Sequence, residues 1–199
     1  MAAYQLAPMP QPIAIFEHLI ARQTQTLVIK EKLFDNFDVK DLNGAPWLHV
    51  EAKLASMHGR KKIYDVTGAY LFDIVKELFH WHTTFSLKGQ NEQQLMQVKS
   101  SFALLGSKAT ATFTTSRGQP VSLFMKGNWL DTSADIVDLA TGLVVARIDR
   151  QLFNAREVFL GHQTYHLTVA PGVDVALLVA MCICLDEKQN EGGGACQVM

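Results

Sequence analysis

Near its C-terminal end the chain carries one apolar run with no polar face, Val175 to Leu185. It reads Val-Ala-Leu-Leu-Val-Ala-Met-Cys-Ile-Cys-Leu, with Asp174 before it and Asp186-Glu187 after it. A helix that is hydrophobic all round has to be buried, in protein or in membrane. Taken as a helix, Val173 to Leu185 spans about 20 Å. A membrane crossing needs about 20 apolar residues, or roughly 30 Å. Pro171, Gly172 and Asp174 block extension upstream, Asp186 and Glu187 block it downstream, and Lys188 is the single flanking cation. The run therefore predicts a helix buried in protein and no transmembrane span. Pro171 sits just ahead of the first turn, and Asp174 lies where a helix N-terminus favours negative charge.

What surrounds that helix follows from the rest of the chain. Short segments rich in β-branched and aromatic residues recur from Thr26 onward. They are Thr26–Lys30, Phe34–Lys40, Trp47–Leu54, Lys62–Val66, Ala69–Val75, Thr83–Lys88, Leu95–Phe102, Lys108–Thr115, Val121–Lys126, Ala134–Leu139, Leu143–Ile148 and Thr164–Val169. Three turns share a pattern of Asp followed by Gly: Asp41-Leu42-Asn43-Gly44, Asp65-Val66-Thr67-Gly68 and Asp138-Leu139-Ala140-Thr141-Gly142. Glycine supplies positive φ without steric cost and Asp favours turns, so these predict hairpins. About a dozen short strands predict a sandwich or a closed barrel, and closure hides the strand edges. A barrel also supplies the interior that the apolar helix needs.

The chain divides into an N-terminal arm at 1–25, a barrel domain at 26–187 and a flexible tail at 188–199. The arm carries Pro8, Pro10 and Pro12 and is expected to be partly extended. Ile13 to Arg22 shows a short, ambiguous helical period. The 199 residues and 48% hydrophobic content suit one domain with a sizeable core. A net charge of −1 without a basic surplus argues against nucleic acid as a partner. The first thirty residues show no secretory pattern, and the three cysteines form no disulfide framework. A cytoplasmic location is the expectation.

The Asp-to-Gly hairpins, the stretch Tyr165-x-Leu167-x-Val169-x-Pro171-Gly172-Val173-Asp174 and the apolar helix ending at Leu185-Asp186 resemble the LURP-one-related family. That domain is similar to the tubby C-terminal domain and to phospholipid scramblases, and the resemblance covers about residues 26–187. It implies a mostly β fold: a closed antiparallel barrel of about twelve strands around a buried C-terminal hydrophobic helix. It brings no catalytic residue. Tubby relatives imply phosphoinositide binding through basic surface residues, and scramblase relatives imply calcium-stimulated lipid redistribution.

Candidate chemistry is sparse. Lys53, Arg60, Lys61 and Lys62 form a basic cluster, with Lys30 and Lys32 upstream. Charge-assisted donors of this kind are what an anionic phospholipid or phosphoinositide headgroup requires. Gly59-Arg60-Lys61-Lys62 is expected in a loop, and the competing reading is an ordinary solvated one. The final residues Cys196-Gln197-Val198-Met199 fit a prenylation signal of the farnesyl class, although Gln197 is not aliphatic. The competing reading is a disordered tail. One lipid chain anchors only marginally, and Asp186, Glu187 and Glu191 make the tail acidic rather than polybasic. Cys182 and Cys184 are acylation candidates by residue type alone and are out of reach if the helix is buried.

Asp35, Asp38 and Asp41 lack the spacing and terminal Glu of a calcium loop. His80 and His82 share one face of a strand but lack a third ligand nearby, so they read as surface or interface histidines rather than metal ligands. No catalytic motif, metal site or cofactor is expected. The sequence therefore supports a non-enzymatic barrel that binds an anionic membrane or an unidentified protein partner. It sits in the cytoplasm, with peripheral membrane attachment through a prenylated Cys196. The alternatives are a scramblase-like lipid transporter and a soluble interaction module without a lipid role.

Overall fold

In the computed structural model the described residues are 5–31, 36–52, 59–77, 83–102, 107–128, 133–149 and 164–193. Twelve strands form a closed antiparallel barrel. They are β1 (Gln25–Glu31), β2 (Phe37–Asp41), β3 (Pro46–Ala52), β4 (Lys61–Asp65), β5 (Tyr70–Glu77), β6 (Thr84–Lys88), β7 (Gln94–Phe102), β8 (Ser107–Thr114), β9 (Pro120–Asn128), β10 (Ser133–Asp138), β11 (Val144–Asp149) and β12 (Thr164–Val169). Each pairs with its sequence neighbour, and β1 pairs with β12 from Gln25↔Val169 to Lys30↔Thr164 to close the ring. Every one of the twelve strands expected from the sequence is present, with ends moved by a few residues. The ambiguous helical stretch after Ile13 shortens to one 3-10 turn, Glu17–Leu19.

Alternation sets the inside of the barrel. Side chains two apart share a face, so Leu27 and Ile29, Phe37 and Val39, Leu48 and Val50, and Ile63 with Lys61 all point inward. The helix α1 (Val175–Gly193) runs through the barrel, and Val175 to Leu185 are each no more than 1% exposed. The apolar run is the core of the barrel. It reaches farther than expected: the helix continues past Leu185 and residue 187 to Gly193. Among the described residues no helix is long and apolar enough to cross a membrane.

Because all neighbouring strands are antiparallel, successive connections fall on alternate ends. The short turns after β2, β4, β6, β8 and β10 lie at one end, which also receives the arm. The helix enters at this arm end and leaves at the other. The three Asp-to-Gly turns are hairpins, with Gly44, Gly68 and Gly142 at positive φ. Each Asp is an internal acceptor. Asp41 takes the N–H groups of Asn43 and Ala45, and Asp65 takes those of Thr67 and Ala69. Asp138 takes those of Ala140 and Thr141. The repeated motif thus serves turn geometry rather than ligand chemistry.

Candidate functional site

The basic segment lies at the end where the helix leaves the barrel. It is not the loop expected from the sequence, because Lys61 and Lys62 open β4. Strand alternation then separates them. Lys61 shares the inward face with Ile63 and is 2% exposed, while Lys62 is half-buried on the other face. The Lys61 Nζ lies 2.7 Å from Glu187 Oε1 on α1 and 5.9 Å from the Phe37 ring centroid. A buried ammonium needs such a partner, since leaving it unpaired in a low-dielectric interior is costly. Lys61 therefore fastens the helix to the barrel wall and is not available to a lipid headgroup.

Arg60 points outward but is also engaged. Its Nη1 lies 2.7 Å from Asp73 Oδ2 and 2.8 Å from Glu92 Oε1, and its Nη2 donates to Glu92 Oε2 at 3.3 Å. The hydrogen bond to Glu92 raises its pKa further above the ordinary guanidinium range, and Arg60 in turn lowers that of Glu92. Glu92 itself sits at φ 58, a left-handed conformation uncommon outside glycine. Two carboxylates around one guanidinium leave no net positive charge for phosphate. Of the four basic candidates, Lys62 remains outward-facing, and Lys53 lies outside the described residues, as does Cys196.

The other candidates separate in the same way. Asp38 sits 3.4 Å from Lys40, and Asp41 belongs to its turn, while Asp35 lies outside the described residues. His80 and His82 also lie outside them. Among the described residues no group of His, Cys, Asp or Glu is placed to hold a metal ion. Cys182 and Cys184 are 0% exposed inside the barrel, and burial pushes the Cys184 thiol well above the ordinary range. Both cysteines are sealed from acylation.

One feature was missed from the sequence. An open groove of about 480 Å³ crosses β2, β3 and β4 on the arm side. Its lining includes Asp38, Lys40, His49, Glu51, Tyr64 and Val66. His49 Nε2 lies 3.2 Å from Glu51 Oε1, and its ring centroid is 6.5 Å from that of Tyr64. Pro46, which lacks an N–H, lies opposite Lys40 in the groove, beside a register shift between Val39 and Lys40. A proline at a strand start is visible in sequence, but the groove also needs the curvature of three strands.

A model of a family described as LURP-one-related matches residues 25–186. Among the similar proteins, Protein LURP-one-related 15 from Arabidopsis thaliana is 25% identical over 166 residues, covering 80% of this chain and 76% of the relative. Protein LURP-one-related 10 from the same plant is 24% identical over 166 residues, covering 82% and 76%. Protein LURP1, also from Arabidopsis thaliana, is 24% identical over 163 residues, covering 79% and 78%. An X-ray structure of an Arabidopsis thaliana protein superimposes with a TM-score of 0.66 at 18% identity. It covers 89% of this chain and 99% of that one, which is a likeness of fold.

Proposed function

The chain belongs to the LURP-one-related family, and on that premise we propose that it is a non-enzymatic barrel that acts through its outer surface, held reversibly at an anionic membrane by a prenylated Cys196. The observation that carries this reading is the seat of the helix. Its side chains fill the barrel, so recognition is left to the outside. Glu187, paired with Lys61, fixes where the chain leaves: beside Arg60 and Lys62. No more than about 20 Å of chain separates Glu187 from Cys196, counting 1.5 Å per residue in the helix and about 3.5 Å beyond it. A lipid on Cys196 would therefore bring this end of the barrel to the bilayer. Lys62 and Lys53 are the headgroup candidates in this reading.

A second reading, a protein-interaction module without a lipid role, is favoured by the pairing of Arg60 with Asp73 and Glu92. The groove over β2 to β4 would then be the recognition surface. A scramblase-like transporter needs the helix to leave the barrel, against a buried ion pair at one end and the Asp174 hydrogen bonds at the other.

Intact-mass analysis of protein from its native cell discriminates these readings. Removal of Gln197 to Met199 with a farnesyl-sized addition on Cys196 supports the membrane reading. An unmodified C-terminus removes it. Vesicle co-sedimentation tests the headgroup separately: binding that depends on phosphoinositide and falls with Lys53→Ala plus Lys62→Ala is expected, and binding indifferent to both overturns it.

A further inference from the structure

The segment that closes the arm end of the barrel lies outside the family match, which begins at residue 25. Residues 5–24 cross the mouth of the barrel, and every residue from Pro171 to Asp174 is engaged by them. The N–H of Met9 donates to the Pro171 carbonyl, that of Ile13 to Gly172 and that of Ala21 to Val173, each at 2.9 Å. In return Gly172 donates to the Ala21 carbonyl at 2.8 Å and Asp174 to that of Ile13 at 3.0 Å. The Asp174 carboxylate then accepts the N–H groups of Ile15 at 3.2 Å and Phe16 at 2.8 Å, and on the helix side that of Ala176 at 3.0 Å. The Pro-Gly-Val-Asp stretch that marks the sequence is thus the receptor for the arm.

The arm is nonetheless attached in a different way from the strands. It forms no ladder with the barrel. Its pairing is two isolated bridges, Ile13↔Val173 and Ile20↔Asp174. Each barrel strand, by contrast, is hydrogen-bonded to a neighbour on both sides. Its other ties include the Ser116 N–H to the Ala14 carbonyl, the Ser116 hydroxyl to Glu17, the stacking of Phe16 on Phe72 at 5.7 Å, the burial of Leu6, Met9, Ile13, Leu19 and Ala21 against the core, and two side-chain contacts nearer the surface. Those are Arg117 with Glu17 at 3.2 Å and His18 with Asp65 at 3.7 Å. Exposed pairs of this type hold weakly. A terminal unit outside the ladder opens at a lower free energy than the ladder when its contacts can be lost without breaking any strand pairing.

We propose that the arm is a strap that opens as its own unit and seats the N-terminal end of the buried helix, with Asp174 as its catch. Lifting it uncovers Phe72, the Pro171-to-Asp174 turn and the first turn of α1 while the barrel strands stay paired. The inference does not depend on any lipid role.

Native-state hydrogen exchange on the full chain, read by NMR, tests it. The amides of Met9, Ile13, Ile15, Phe16 and Ala21 are expected to exchange as one group, at least about tenfold faster than those of β8. Arm and β8 amides exchanging at one common rate overturn the strap. The urea dependence of exchange is the second measurement. A shallower slope for the arm supports a local opening, and equal slopes overturn it.

Discussion

The carboxylate of Asp174 holds the backbone N–H of Phe16 at 2.8 Å, across 158 residues of chain. The same side chain caps α1 through Ala176. One residue therefore starts the helix and fastens the arm over its end. At 0% exposure, it does so out of contact with water.

Asp174→Ala leaves the N–H groups of Ile15, Phe16 and Ala176 without their acceptor. Removing an N-cap costs about 1 kcal/mol, and each buried donor left unmet costs about 1–3 kcal/mol. Entry of water at the loosened arm limits the sum, so a loss of about 3 kcal/mol is expected in urea unfolding. Asp174→Asn retains one acceptor oxygen and should lose less.

Burial pushes the Asp174 carboxyl up from 3.8 to about 6, against the backbone donors that hold it down. Between those two values the folded chain keeps a proton that the unfolded chain has released. Stability therefore falls as pH rises from about 4 to about 6, and this group adds no slope above that. The full change is about 3 kcal/mol, at about 1.4 kcal/mol per pH unit. Asp65 works the other way at lower pH, because the Thr67 hydroxyl leads in holding its pKa down. The urea midpoint at pH 5 should exceed that at pH 7, and Asp174→Asn should remove most of that difference.

Lys61 and Glu187 form the fastening at the opposite end, 2.7 Å apart, with the lysine almost wholly buried. Lys61→Ala strands a carboxylate beside the barrel wall and should cost about 3–5 kcal/mol. Lys61→Met with Glu187→Leu removes both charges at similar volume and should be near neutral or stabilising. Urea unfolding of the two single variants and the pair measures the coupling. A double variant as unstable as the worse single would show that the charges matter beyond their mutual satisfaction.

Gly172 sits at φ +92, and an added Cβ would lie 3.2 Å from the Met9 Cβ. Gly172→Ala meets both the backbone strain and the arm. A loss of about 1–3 kcal/mol is expected, of the size of other strained backbone positions. Because the clash falls on the arm, proteolysis near Met9 should rise before the barrel melts.

Much of the fold is legible in the chain. Segments of β-branched and aromatic residues locate about a dozen strands, the Asp-to-Gly turns join some of them, the apolar run demands a buried helix, and the family resemblance supplies the twelve-stranded closed barrel. The fate of the basic candidates was legible in part. Lys61 is two residues from Ile63 and so shares its inward face, a sign that Gly59 and the run of charges obscured. Its partner was not legible, since Glu187 lies at the far end of the chain and meets β4 only when the helix is threaded through the barrel. The arm gave the weakest signal. Its prolines and broken period suggest an extended segment, and nothing local says that it docks on residues 171–174.

The sequence by itself determined the class of fold and the place of the helix, because hydrophobic periodicity is a local property that burial must satisfy. It also determined the hairpins, whose Asp and Gly act within a few residues of one another. Only the tertiary structure decided which charges are free. Lys61 and Arg60 look like surface chemistry in the chain, and Asp174 like a charge at a helix N-terminus. Closing the barrel brings carboxylates to the first two and the arm's N–H groups to the third. Those partners come from distant segments, and desolvation at the barrel wall makes the pairings matter.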